Sequence, residues 1–339
     1  MVILRAGVNH GRDQVACSMR RVALLYNPAS GQYAERRAAV IAEVLAELHR
    51  AGIEVEVIAT ESPESAGAQA HQCMCNGCDT ILACGGDGTV HEALQRLVGG
   101  SAALGVIPMG TANALAADLG LPPNPVKAVR MLLTATPVRV SVGHVFYRDN
   151  EGRPGSRYFI VAAGIGADAL FFSRLDSRLK RRFGYALYLV EAFRIWATHT
   201  FPLFSASFTD PGSETTRREE VSQLLAVRIS NFGGLIHNLV PGAALSNGNL
   251  RAVAFKTRSR LRYLRFMIAV LFGRQTFSDT IELVKCKTVE CHDLEGAAAR
   301  TFVEADGELL GTLPVRIEVV HEALTVLIPQ KALSKTGHV

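Results

Sequence analysis

Three times before residue 115 a short apolar run ends in a polar, glycine-bearing loop and passes into a helical pattern. Val22–Tyr26 runs into Asn27-Pro28-Ala29-Ser30-Gly31. Thr80–Cys84 runs into Gly85-Gly86-Asp87-Gly88-Thr89, and Leu104–Pro108 into Met109-Gly110-Thr111-Ala112-Asn113. Between them lie the helical pattern Ala34–Ala51, the strand Ile53–Ile58 and a helix over Pro63–Asn76, with another helix over Glu92–Val98. Such alternation predicts a parallel sheet covered by helices. In a parallel sheet the three loops fall together at the carboxyl ends of the strands, where such folds bind ligands. Glycine lets the backbone come close to a ligand, and the free amides at a helix start favour an anion. The Gly85–Thr89 loop is not a P-loop, because no Lys follows it. Read alone it is equally a glycine turn with Asp87 capping a helix. Three such loops together favour a nucleotide-phosphate site.

The second half changes character. Val138–Tyr147, Arg157–Ala163, Leu203–Phe208, Val221–Ser230 and Asn249–Phe255 read as strands. So do Thr280–Lys287, Arg300–Ala305, Val315–Val320 and Leu324–Ile328. Helices over Tyr185–Thr198 and Arg260–Phe272 interrupt them. The expectation is a leader at 1–20, an α/β domain at 21–137, an antiparallel β-sandwich at 138–320, and a last strand, 321–332, returning to the first domain. A chain of 339 residues, 48% hydrophobic and 20% charged, suits two globular domains. A net charge of +5 is too small to indicate nucleic acid and suits phosphate ligands or an anionic membrane surface. Seven cysteines argue against a secreted disulfide framework. Cys73, Cys75 and Cys78, near His71, read as small packing residues rather than a zinc site. No signal peptide is read at the start. The uncharged stretch Leu97–Ala117 holds four glycines and a proline and does not suit a spanning helix. The expected compartment is the cytoplasm, with the inner membrane surface as a place of peripheral attachment.

The Asn27–Gly31, Gly85–Thr89 and Gly110–Asn113 set resembles the diacylglycerol kinase catalytic-domain family, which includes sphingosine and ceramide kinases. Gly-Gly-Asp-Gly-Thr alone is shared with NAD kinases and phosphofructokinases; the other two elements point to the lipid-kinase branch. The resemblance spans residues 20–330 and implies an N-terminal Rossmann-like domain of NAD-kinase and diacylglycerol-kinase topology followed by a β-sandwich domain. It implies ATP and Mg²⁺ as cofactors and phosphoryl transfer to a lipid hydroxyl, most simply diacylglycerol to phosphatidic acid. By residue match, Asn27, Pro28, Ala29, Ser30, Gly31, Thr60 and Thr111 contact ATP, as do Gly86, Asp87, Gly88, Thr89, Val90, His91 and Glu92. Asp87 is also the implied Mg²⁺ ligand. Asp306-Gly307-Glu308, on its own readable as a hairpin turn, matches the family's catalytic element. Asp306 would then take the proton of the acceptor hydroxyl, with Glu308 beside it. Asp168 and Ser141 are implied on the acceptor side.

Gly164-Ile165-Gly166-Ala167-Asp168-Ala169 looks like a dinucleotide fingerprint but lacks the acidic residue at a second strand end. Two departures from the family stand out. Ser141 replaces an aspartate of the network around the base. Asn247-Gly248-Asn249-Leu250-Arg251 replaces an Asp-Gly-x-Leu-Asp that helps hold a structural Mg²⁺, and Arg251 there would repel a second cation. Arg174, Arg178, Lys180, Arg181 and Arg182, and Arg258, Arg260, Arg262 and Arg265 before apolar Phe266–Phe272, read as a solvated face or as contacts to anionic lipid headgroups. Expected partners are ATP and a lipid at the membrane surface, not nucleic acid, with a homodimer left open. The alternatives are a sphingoid-base or ceramide kinase, an NAD-kinase-like enzyme, or a nucleotide- or lipid-binding protein without catalysis.

Overall fold

The computed structural model describes residues 19–28, 37–62, 65–174, 185–213, 215–233, 239–296 and 300–333. The chain begins as β1 (Arg21–Tyr26), α1 (Arg37–Arg50), β2 (Glu54–Ala59), α2 (Ser65–Cys75), β3 (Thr80–Gly85), α3 (Asp87–Leu97) and β4 (Ala103–Pro108). The four strands are parallel in the order β2-β1-β3-β4. Every residue of β3 and β4 is buried, as expected where helices cover both faces of a parallel sheet. α1 turns Ile41, Val44 and Leu48 inward at helical spacing. Cys73 and Cys78 are buried at the end of α2, where burial pushes the Cys73 thiol up to about 11. Two short helices follow, α4 (Ala114–Asp118) and α5 (Pro125–Leu132). The sequence reading leaves α5 out. Its signals are Pro125 in the first turn and Asn124, whose side chain accepts the Lys127 N–H at 2.9 Å.

The second half holds β5 (Thr136–Arg148), β6 (Pro154–Phe159), β7 (Ala162–Gly166), α6 (Ala167–Arg174), α7 (Tyr185–Thr198), β8 (Phe204–Thr209), β9 (Thr216–Val221) and β10 (Gln223–Val227). It continues with β11 (Leu250–Phe255), α8 (Arg260–Leu271), β12 (Ile281–Cys286), β13 (Thr288–Asp293), β14 (Phe302–Ala305), β15 (Glu308–Ile328) and α9 (Gln330–Leu333). One layer runs β12-β11-β10-β7-β14; the other joins β9, β8, β13, β15, β5 and β6. Phe159, Ile165, Phe204, Phe208 and Ile317 pack between them as the core of a β-sandwich. Among the described residues no helix is long and apolar enough to cross a membrane.

Three differences from the sequence reading have physical causes. Arg157–Ala163 is two strands, parted where Ile160 and Val161 turn their amides to Asp306. Val221–Ser230 is also broken, because the Ser222 hydroxyl bonds the Phe255 and Thr257 carbonyls. Val315–Val320 and Leu324–Ile328 form one long strand whose register slips between Val320 and Leu324, around left-handed Glu322. β15 leaves the hairpin with β14, runs beside β13 and β5, and ends parallel to β4 at Thr325 and Val326. One strand thereby ties the sandwich to the parallel sheet.

Candidate active site

The loops after β1, β2, β3 and β4 leave the parallel sheet at one edge, since Tyr26 pairs with Ala59 and Cys84, and Gly85 with Pro108. Asn27 and Pro28 lie there; Ala29, Ser30 and Gly31 fall outside the described residues. Thr60 donates its N–H to the Tyr26 carbonyl at 2.9 Å. Its hydroxyl is buried with no partner among the described residues, a polar atom that a bound nucleotide could satisfy. Gly86 and Gly110 meet backbone to backbone: a Cβ on Gly86 would stand 3.2 Å from the Gly110 Cα. Only glycine at both positions lets the second and third loops touch. α3 starts at this glycine loop, with Thr89 and Val90 donating their N–H to the Gly86 carbonyl at 3.0 and 3.3 Å, and the amides at a helix start carry its positive end. Gly88 is exposed beside them and Thr111 half-buried, an arrangement that suits phosphate oxygens.

Asp87 does something other than the implied metal binding. Its carboxylate accepts the Asn113 N–H at 2.9 Å and the Ala114 N–H at 2.7 Å, capping α4 and bracing the third loop on the second. Asn113, with φ of 50°, seals the same turn by exchanging side-chain bonds with Gly110. Each Asp87 oxygen accepts one amide, so Asp87 is a strut between the loops, and the Mg²⁺-binding role that the resemblance implies for it would use the remaining lone pairs. Among the described residues the group spaced for a metal is His91, Glu92 and Glu308, with ligand atoms within 4.8 Å of one another. An imidazole is a poor fit to Mg²⁺, which takes oxygen ligands. Nor is Glu92 free, being paired with Arg157 at 3.1 Å. The described residues therefore form no dedicated Mg²⁺ cage.

α3 carries the contact between the two halves. His91 is fully buried, with Nδ1 at 3.2 Å from Asp306 Oδ2 and Nε2 at 3.6 Å from Glu308 Oε2. Burial alone would lower its pKa; the Asp306 hydrogen bond and the nearby carboxylate charges outweigh burial and raise it. Burial pushes the Glu92 carboxyl up, against the pull of Arg157. One turn on, Gln95 exchanges two hydrogen bonds with the Tyr158 backbone, at 2.8 and 2.9 Å. Sequence reading missed Arg157 and Gln95. The signal for Gln95 is its spacing four residues after His91 on an otherwise apolar face.

The acids of the β14–β15 turn are held differently. The Asp306 side chain is 3% exposed. Its Oδ1 accepts the amides of Val161 and Ala162 at 2.9 and 3.0 Å, and Oδ2 accepts Ile160 N–H at 2.9 Å beside His91. Asp306 itself sits at φ of 49°. Three backbone amides and the His91 ring thus surround the Asp306 side chain. The Glu308 side chain is 35% exposed, and its Oε1 would stand 3.9 Å from a Cβ placed on Gly88. Of the two acids Asp306 is enclosed and Glu308 is the more open to solvent.

Asp168 and Ser141 are not part of this group. Asp168 lies in the first turn of α6 and shares a hydrogen bond with Glu304, which also accepts the Gly307 N–H at 2.8 Å. Burial raises the pKa of both acids. Ser141 is buried, and its hydroxyl accepts the Glu322 N–H at 3.3 Å. Both side chains have partners within the protein, Asp168 with Glu304 and Ser141 with Glu322. Of the basic clusters, Arg178–Arg182 lies outside the described residues. Arg258, Arg260, Arg262 and Arg265 are exposed.

Residues 21–145 match the family described as the diacylglycerol kinase catalytic domain, and residues 160–328 that described as the YegS C-terminal NAD kinase beta sandwich-like domain. The chain is 30% identical over 317 residues to a diacylglycerol kinase of Mycobacterium tuberculosis, covering 91% of this chain and 96% of that one. It is 25% identical over 316 residues to a diacylglycerol kinase of Bacillus subtilis, covering 92% and 98%. In backbone it is similar to a diacylglycerol kinase from Bacillus anthracis, with a TM-score of 0.65 at 19% identity over 93% of this chain and 98% of that one.

Proposed function

Because the chain belongs to the diacylglycerol kinase catalytic domain family and is a lipid kinase, we propose that it transfers the γ-phosphate of ATP to the free hydroxyl of diacylglycerol, giving phosphatidic acid. The observation that carries this reading is the position of the Asp306-Gly307-Glu308 turn. It presents a half-exposed carboxylate to the glycine loop of α3, while His91 and Asp306 hold it from behind.

In this proposal the triphosphate lies along the loops at Asn27 and Pro28, Thr60, Gly86–Thr89 and Thr111. The amides at the start of α3 face its oxygens. Mg²⁺ carried in with the nucleotide would neutralise charge on the transferred group. Glu308 accepts the hydroxyl proton as the oxygen attacks phosphorus. His91 keeps Glu308 in place and is itself anchored by Asp306. The work of the protein is alignment of two oxygens about one phosphorus and placement of one acceptor for a proton.

A kinase of lipids must meet a bilayer. Val190 and Phe193 on α7, and Leu261, Met267, Ile268, Leu271 and Phe272 on and after α8, are exposed, Phe272 at 74%. The two helices touch through Trp196, whose indole N–H donates to the Arg260 carbonyl at 2.8 Å. Residues 257–278 hold five arginines and no acid. We place this surface on the anionic inner face of the cytoplasmic membrane, where each Arg adds about 1 kcal/mol.

The test is transfer of labelled γ-phosphate from Mg·ATP into mixed micelles holding diacylglycerol, monoacylglycerol, ceramide or a sphingoid base. Label in diacylglycerol is expected; label in a sphingoid base alone would move the acceptor class. Arg262→Glu with Arg265→Glu is expected to weaken binding to phosphatidylglycerol vesicles about 10-fold, and unchanged binding would remove the docking surface.

A further inference from the structure

Arg228, just past β10, is 1% exposed. Its Nη1 donates to the Asn249 carbonyl at 3.1 Å, and its Nη2 faces the carbonyls of Ser141, Leu245 and Asn247 at 3.1, 3.2 and 2.6 Å. Burial pushes the guanidinium down to about 10, so it stays cationic at neutral pH. No carboxylate pairs with it among the described residues. A buried charge normally has a counter-charge or a metal beside it. Here four backbone oxygens from two separate stretches converge on one cation.

Oxygen atoms arranged around a centre are the donor set of a hard metal ion. The stretch 239–251 that supplies three of them contains no acid. At the two positions where the resemblance implies metal-binding aspartates stand Asn247 and Arg251. The Asn247 amide donates to the Gly242 carbonyl at 2.7 Å, and the Arg251 guanidinium packs on Gly242. An amide nitrogen turned away and two guanidinium groups do not fit a divalent ion.

The cage sits at a junction. Ser141 donates its N–H to the Leu245 carbonyl at 3.0 Å. It lies where the β5–β15 ladder slips register, between the Val140–Leu324 and Val142–Val320 pairs. On one side of that point β5 runs beside the part of β15 next to β4; on the other it belongs to the sandwich. Whatever holds Ser141 to 245–249 therefore holds the two halves in register.

We infer that the Arg228 guanidinium is the resident cation of this junction, bridging by a side chain what a bound divalent ion would otherwise bridge, so that the 239–251 loop takes up no divalent ion. A covalently attached cation cannot be chelated or lost. Removing it takes this donor from the Ser141, Asn247 and Asn249 carbonyls, while the Leu245 carbonyl keeps the Ser141 N–H.

The test is thermal unfolding of the full-length chain without nucleotide, in EDTA and in millimolar Mg²⁺ or Ca²⁺. The wild-type midpoint is expected to agree in all three. Arg228→Met is expected to lower the midpoint by about 5–10 °C, equally with and without metal. Adding Asn247→Asp and Arg251→Asp to that variant should make the midpoint rise with Mg²⁺. A wild-type midpoint that falls in EDTA and recovers with Mg²⁺ overturns the inference, as does an Arg228→Met chain as stable as wild type. If Arg228→Met does not fold, the wild-type comparison decides alone. None of these readouts depends on kinase activity, so the inference stands or falls apart from the proposed reaction.

Discussion

Two pairs of acids flank the turn at 306–308, and their surroundings give them opposite character. Asp306 faces three amides and an imidazole. Glu304, two residues earlier on β14, faces another acid, Asp168, and one amide. Both sit at nearly the same depth. Three amides and an imidazole surround Asp306, while burial raises the pKa of Asp168 and burial with the neighbouring acid raises that of Glu304. The lesson is that depth sets the cost of a charge and the partners decide whether the charge is kept. Glu308 is a third case: half-exposed and near one imidazole, it is the acid of the turn most open to a substrate.

The sharpest way to break this comparison is Glu308→Gln. Transfer to lipid should fall about 10²–10⁴-fold, equivalent to about 3–5 kcal/mol of barrier, with the unfolding midpoint unchanged. Asp306→Asn should act on stability instead. It sets an amide donor among three N–H donors and removes the charge beside His91, costing about 3 kcal/mol in denaturant unfolding. The opposite result would return the proton-accepting role to Asp306: full stability with lost transfer in Asp306→Asn, and near-normal transfer in Glu308→Gln.

The parts legible in the sequence were those with local causes. The loops after β1, β3 and β4 announce themselves because glycine and polar residues interrupt apolar runs within five or six positions. The sheet order follows from the alternation around them. β13 escaped because only Val289 and Cys291 of its six residues face the core. The partnership of α3 with the 306–308 turn has no local trace: 215 residues separate His91 from Asp306. Resemblance supplied both motifs, but which acid is saturated with amides depends on where Ile160–Ala162 lie. The same holds for Asp87, whose role as a strut appears only once Asn113 and Ala114 are placed beside it.

A smaller effect comes from Gly164, which pairs with Glu304 across the β7–β14 ladder. A Cβ there would collide with Asp168 Oδ2 and Glu304 Oε1. Gly164→Ala should force the two acids apart and cost about 1–3 kcal/mol of stability. Gly152→Ala is the control for a glycine with open space around it, its strain being that of φ alone. Equal losses in the two would show that the acids can move aside.

The smallest effect is the most specific. Both acids of the pair hold their protons to higher pH folded than unfolded. As pH rises above the ordinary carboxylate range the unfolded chain releases these protons while the folded chain keeps them, so stability declines until the folded values are passed. His91, also raised, loses its contribution in the same direction at higher pH, so the wild-type slope alone does not isolate the pair. Glu304→Gln does. Its carboxamide oxygen can still accept the Gly307 N–H, and its nitrogen can donate to Asp168, which then remains ionised without an acid neighbour. Between about pH 5 and pH 8 the variant should lose about 1 kcal/mol less stability than wild type. Equal slopes in the two chains would mean that the pair is already ionised when folded, and the contrast with Asp306 would disappear.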